Sequence, residues 1–68
     1  TLKIYVNQDF TKDTLTELKL TKGNHKVEII INNQLVKIHG GFEVSRELLN
    51  SLKTMNGVVE VLFNEEIY

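Results

Sequence analysis

Residues 44–57, Val-Ser-Arg-Glu-Leu-Leu-Asn-Ser-Leu-Lys-Thr-Met-Asn-Gly, carry a helix whose start and stop are both written into the chain. Ser45 suits the N-cap, where its hydroxyl accepts from an otherwise unpaired backbone N–H, and Glu47 puts negative charge at the positive end of the helix dipole. Val44 and Leu49 have the spacing of a hydrophobic staple. Leu48, Leu49, Leu52 and Met55 fall on one stripe, while Arg46, Asn50 and Lys53 point elsewhere. Such a helix must lie on an apolar surface. Asn56-Gly57 provides the left-handed exit, and residues 58–63, Val-Val-Glu-Val-Leu-Phe, follow as a strand.

The rest of the chain supplies that surface. Leu2, Ile4 and Val6 alternate with Lys3, Tyr5 and Asn7, the period of a half-buried strand. Residues 10–20 change to a helical pattern: Thr11 can cap, Thr14 and Glu17 have capping-box spacing, and Leu15 and Leu18 share a face. Lys19 and Lys22 suit the C-terminal end of that helix, and Gly23 its left-handed exit. Residues 25–31 and 34–39 are strands joined by Asn32-Asn33 as a two-residue turn, since asparagine tolerates positive φ. With Ile31 opposite Gln34, Ile29 meets Val36 and Val27 meets Ile38 on one side. Ile30 then meets Leu35, and Glu28 meets Lys37, on the other. A slip of one residue destroys both agreements. Gly40-Gly41 ends the second arm and frees the turn into Phe42-Glu43-Val44. Residues 64–68 read as a frayed end.

The order strand, helix, strand, strand, helix, strand predicts an α+β fold of the ferredoxin-like βαββαβ type, a four-stranded antiparallel sheet with two helices on one face. The expected helix-side layer is Leu2, Ile4, Val6, Val27, Ile29, Ile31, Val36, Ile38, Val59, Val61 and Phe63, closed by Leu15, Leu18, Leu48, Leu49, Leu52 and Met55. The other face presents Tyr5, Ile30, Leu35, Val58 and Leu62 among Lys3, Asn7, Lys26, Glu28, Lys37, His39 and Glu60. Tyr5, Ile30, Leu35 and Leu62 are the candidate partner-docking residues, because a contiguous exposed apolar patch marks a contact surface. Isolated surface apolar residues are also ordinary in soluble proteins.

The 68 residues allow a single small domain spanning 1–68, and a first residue Thr1 suggests excision from a larger protein. Hydrophobic residues at 41% and charged residues at 25% are globular values. The net charge of −1 gives no general attraction to nucleic acid or acidic membrane, so direct nucleic-acid contact is not expected. No apolar run has membrane-spanning length, and the absence of cysteine fits a reducing compartment, so the expected location is cytoplasmic.

Catalytic, cofactor and metal sites find no candidates. Asp9, Asp13, Glu17, Glu43, Glu47, Glu65 and Glu66 fall in caps, exposed helix faces or the tail, where a solvated charge is the ordinary role. His25 and His39 can be placed near one another, but two imidazoles without a third ligand do not make a metal site. Ser45 is a cap and Ser51 has no base. The glycine turns do not form a phosphate-cradling loop. An RNA-recognition-motif-like single-strand binder is an alternative, with Tyr5 as a stacking platform, yet the neighbouring strands offer Leu35, Lys37 and His39 in place of further aromatics.

Gly23 and Val27, then Val44, Glu47, Leu48, Leu49 and Leu52, then Gly57 and Val61 occur in an order that resembles the extreme C-terminal region of the bacterial replicative DNA polymerase III alpha subunit. Leu2 to Val6 with Leu15 and Leu18 match its opening strand and helix more loosely. The resemblance implies that the parent is a DNA-directed DNA polymerase, a nucleotidyltransferase whose active-site carboxylates lie upstream, and that this fragment is not itself an enzyme. It implies a role in DNA replication, docking to the clamp-loader tau subunit near the part that engages the sliding clamp. The matching positions are structural, so no contact residue carries over, and with only residues 64–68 after the last strand a longer partner-binding tail is expected to be absent or trimmed. A small-molecule regulatory domain of the ACT type, which shares the element order, is a second alternative.

Overall fold

The computed structural model describes residues 1–68 throughout. In chain order the elements are β1 (Leu2–Val6), α1 (Lys12–Glu17), β2 (Lys22–Ile31), β3 (Gln34–Phe42), α2 (Arg46–Thr54), β4 (Val58–Phe63) and β5 (Glu66–Ile67). The strands form one five-stranded sheet in the order β3-β2-β1-β4-β5. β1 runs parallel to β2, with Leu2 opposite Val27 and Val6 opposite Ile31, and antiparallel to β4.

The α+β class and the two helices agree with the sequence, but the four-stranded antiparallel sheet is corrected to a five-stranded mixed one. A parallel pair needs a crossover of about a dozen residues or more, which residues 7–21 supply. Leu2, Ile4 and Val6 find matching apolar partners at Val27, Ile29 and Ile31. Alternation alone does not say which strand β1 takes as its neighbour, because several strands here carry the same pattern.

α1 is shorter than its apolar pattern suggested. Thr11 is its N-cap, and the capping box closes between Thr11 and Thr14 instead of Thr14 and Glu17. Leu18 already has extended backbone, and the Thr16 hydroxyl donates to the Asp13 carbonyl at 2.7 Å. β-branched threonines with local backbone bonds propagate a helix weakly, so the chain leaves after two turns with Leu18 driven into the core. α2 behaves as expected: the Ser45 hydroxyl accepts from the Leu48 N–H at 3.1 Å, Leu49 and Leu52 are buried, and Gly57 leaves with φ +87°.

One cluster holds Leu2, Ile4, Val6, Leu18, Val27, Ile29, Leu49, Leu52 and Val61, joining both helical segments to the same sheet face. Each such side chain contributes about 1.5–3 kcal/mol by leaving water. Two inward assignments are corrected. The register between β1 and β4 shifts so that Tyr5 faces Glu60 but Val6 faces Val58, leaving Val59 bulged outward and 66% exposed while Val58 packs on the core. Val36, on the edge strand β3, is 49% exposed because neither helix segment covers it with a buried side chain.

The β2–β3 hairpin has the expected register, from Ile31 opposite Gln34 to Val27 opposite Ile38, and Asn32 and Asn33 turn it with φ of +51° and +64°. Both arms run further than expected, because Gly23 and Gly41 let the backbones approach as the register shifts near His25. Gly23 is therefore a strand residue against Phe42 and Glu43 and not a helix exit, and Gly40-Gly41 lies within β3. The tail is not frayed. Asn64 and Glu65 reverse the chain with φ of +51° and +68°, and β5 returns beside β4. Tyr68 then reaches α2: its hydroxyl donates to Asn50 Oδ1 at 2.6 Å, and Lys53 Nζ donates to its backbone oxygen at 2.7 Å.

Candidate interaction face

Side chains alternate along a strand, so burying Leu2, Ile4 and Val6 beneath the helices turns Lys3 and Tyr5 to the opposite, uncovered face. The registers place Tyr5 beside Ile30, and Ile30 beside Leu35. One cross-sheet row therefore reads Leu35, Ile30, Tyr5 and Glu60, spanning β3, β2, β1 and β4. The adjoining row reads Lys37, Glu28, Lys3, Leu62 and Ile67. Leu35 is 49% exposed, Ile67 73% exposed, and Tyr5, Ile30 and Leu62 are half-buried by their neighbours.

Tyr5, Ile30 and Leu35 share the uncovered face, as alternation predicts, and the direct β1–β2 pairing, which it does not predict, leaves no gap between their strands. Leu62 is set apart, opposite Lys3, and lies diagonally from Tyr5 at a spacing of about 7–8 Å for such pairs. Ile67 extends that part of the patch, and the sequence reading missed it. Its signal was the polar pair Asn64-Glu65 after a completed strand, obscured because glutamate seldom adopts positive φ. Val58, expected on this face, has turned to the core through the bulge.

The face carries Lys3 and Lys37 beside Glu28 within one row, so opposite charges stand next to one another across β3, β2 and β1. These charges frame the apolar row in the manner of a polar rim around an apolar centre.

The two histidines are not brought together. His25 packs edge-on against Phe63 with ring centroids 5.1 Å apart, whereas His39 lies on exposed β3. No group of three or more His, Cys, Asp or Glu side chains is placed to hold a metal ion. The surface depressions measure about 200–350 Å³, and the largest is lined by Thr1, Lys3, Asn64 and Glu65 without an apolar side chain. No helix is long and apolar enough to cross a membrane.

No protein-family model, curated protein or solved structure matches this chain.

Proposed function

We propose that this chain is a non-catalytic docking domain that engages a protein partner through its uncovered sheet face. The observation that carries this reading is the continuous row Leu35, Ile30 and Tyr5 across neighbouring strands, extended by Leu62 and Ile67 and bordered by charges. Aromatic and aliphatic side chains in such a setting are the usual anchors of protein interfaces. The surface depressions, of about 200–350 Å³, sit at or below the lower end of the range of small-molecule sites, which supports a broad contact over an enclosed pocket, although the one beside Val58, Val59, Val61 and Ile67 is lined mainly by apolar side chains.

The order of Gly23, Val27, Leu48, Leu49, Leu52 and Gly57 supports placing the domain in the C-terminal region of a DNA polymerase III alpha subunit, with the clamp-loader tau subunit or the sliding clamp as partner. The succession of the first six elements supports a ferredoxin-like grouping, from which direct β1–β2 pairing and the added β5 set this sheet apart.

The test is the affinity of the chain for purified tau subunit, measured by calorimetry for the parent and for a Tyr5→Ala, Leu35→Ala double variant, each with its unfolding midpoint. Loss of an anchoring pair should weaken binding by about 2 kcal/mol or more. Unchanged affinity in a folded variant rejects the face, and no binding by the parent rejects the partner.

A further inference from the structure

β3 ends the sheet on one side, and nothing pairs with its outer edge. In a two-residue hairpin the residues flanking the turn, here Ile31 and Gln34, exchange both hydrogen bonds, and such pairs then alternate. Gln34, Val36 and Ile38 consequently turn their backbone groups toward β2. Leu35 and Lys37 turn theirs outward, a ladder of free donors and acceptors that can receive another strand, and His39 follows beside Lys37 where the register shifts.

Charge selects the occupant. Residues 22–42 contain Lys22, Lys26 and Lys37 against Glu28 alone, a net +2, which leaves −3 on the remainder of a chain whose total is −1. A groove of about 200 Å³ along this hairpin is lined by Lys26, Glu28, Lys37 and His39 together with Val27, Ile38 and Gly40. Edge-to-edge pairing of two copies through β3 would bring two such positive hairpins together, so self-association is opposed. An acidic strand meets the opposite charge.

We propose that the β3 edge binds an extended acidic peptide segment by strand addition. Antiparallel to β3, the segment places an apolar side chain opposite Leu35 and acidic side chains opposite Lys37 and His39, giving the pattern acidic-x-acidic-x-apolar. This inference does not depend on the partner proposed above, because the outward backbone groups of β3 and the charge of its hairpin are separate from Tyr5, Ile30 and Leu62, and Leu35 is the one residue that the two surfaces share.

The test uses a seven-residue synthetic peptide with glutamate and valine alternating toward a C-terminal isoleucine, and a second peptide with lysine in place of glutamate, each titrated into ¹⁵N-labelled chain. Amide exchange at Leu35 and Lys37 should slow with the acidic peptide, while Gln34 and Val36 change little. Lys37→Gln should weaken binding about two- to fivefold, the worth of one exposed charge pair, and higher salt should weaken the parent's binding in the same direction. Lys37→Pro removes an outward N–H that β2 does not use, and should abolish binding. Should the proline variant not fold, Lys37→Gln and the salt series carry the test. Equal binding of the lysine peptide, shifts confined to Tyr5 and Leu62, or no binding of the acidic peptide would overturn the proposal. Edge protection that rises with protein concentration without peptide would overturn it in favour of a second copy.

Discussion

The Asn7 N–H donates to the Gly57 carbonyl at 2.8 Å, tying the end of β1 to the turn between α2 and β4. The Asn7 side chain also accepts from the Asp9 N–H at 2.9 Å, which holds the following turn against Gly57. A β-carbon on Gly57 would stand 2.5 Å from the Phe10 nitrogen, and the glycine already has φ +87°. Gly40 has φ +105°, and a β-carbon there would meet only the Phe42 ring, at 3.7 Å, an ordinary van der Waals contact. Gly40→Ala should therefore cost about 1–3 kcal/mol from the backbone alone, and Gly57→Ala about 1–3 kcal/mol beyond that from crowding. Urea unfolding of both variants measures the difference, and equal costs would remove the close approach from the account.

The bulge in β4 turns Val59 outward, whereas Val61 stays in the core. Val59→Ala should change stability by no more than about 0.5 kcal/mol, as at an ordinary surface site, whereas Val61→Ala, at 3% exposure, should be clearly destabilising. Leu52→Ala, in a position wholly closed to solvent, should cost about 2–5 kcal/mol. Thermal or denaturant melts of the three variants give the order. A Val59 variant as damaging as Leu52→Ala would mean that the strand runs without the bulge.

Docking of the C-terminal residue onto α2 predicts a measurable coupling. Tyr68→Phe and Asn50→Ala each remove the same 2.6 Å hydrogen bond, so each should cost about 0.5–1.5 kcal/mol. The double variant should lose less than the sum of the two, because the second change finds the bond already gone. Strict additivity in a double-mutant cycle would mean that the tail does not rest on the helix.

Much of the arrangement was legible where local rules and packing agree. The hairpin register followed from pairing Ile29 with Val36 and Glu28 with Lys37, and the start of α2 followed from Ser45. What escaped depended on long-range choices. Direct parallel pairing of β1 with β2 is decided by which apolar row β1 joins, and short-range alternation is the same for either neighbour. The outward turn of Val59 depends on a single-residue shift against β1, invisible in a run of β-branched residues. Gly23 reads as a helix exit by itself, and becomes a strand contact only with Phe42 and Glu43 beside it. At the uncovered sheet face the same division holds: Tyr5, Ile30 and Leu35 follow from alternation, while Ile67 needed the Asn64-Glu65 reversal.

The most direct measurement of the docking account is an amide chemical-shift map of the ¹⁵N-labelled chain during titration with purified tau subunit. The account predicts that the first and largest changes trace Tyr5, Ile30, Leu35 and Leu62 across the uncovered face, leaving the exposed side of α2 at Arg46 and Asn50 unchanged. Changes centred on α2 with a silent sheet face would contradict it.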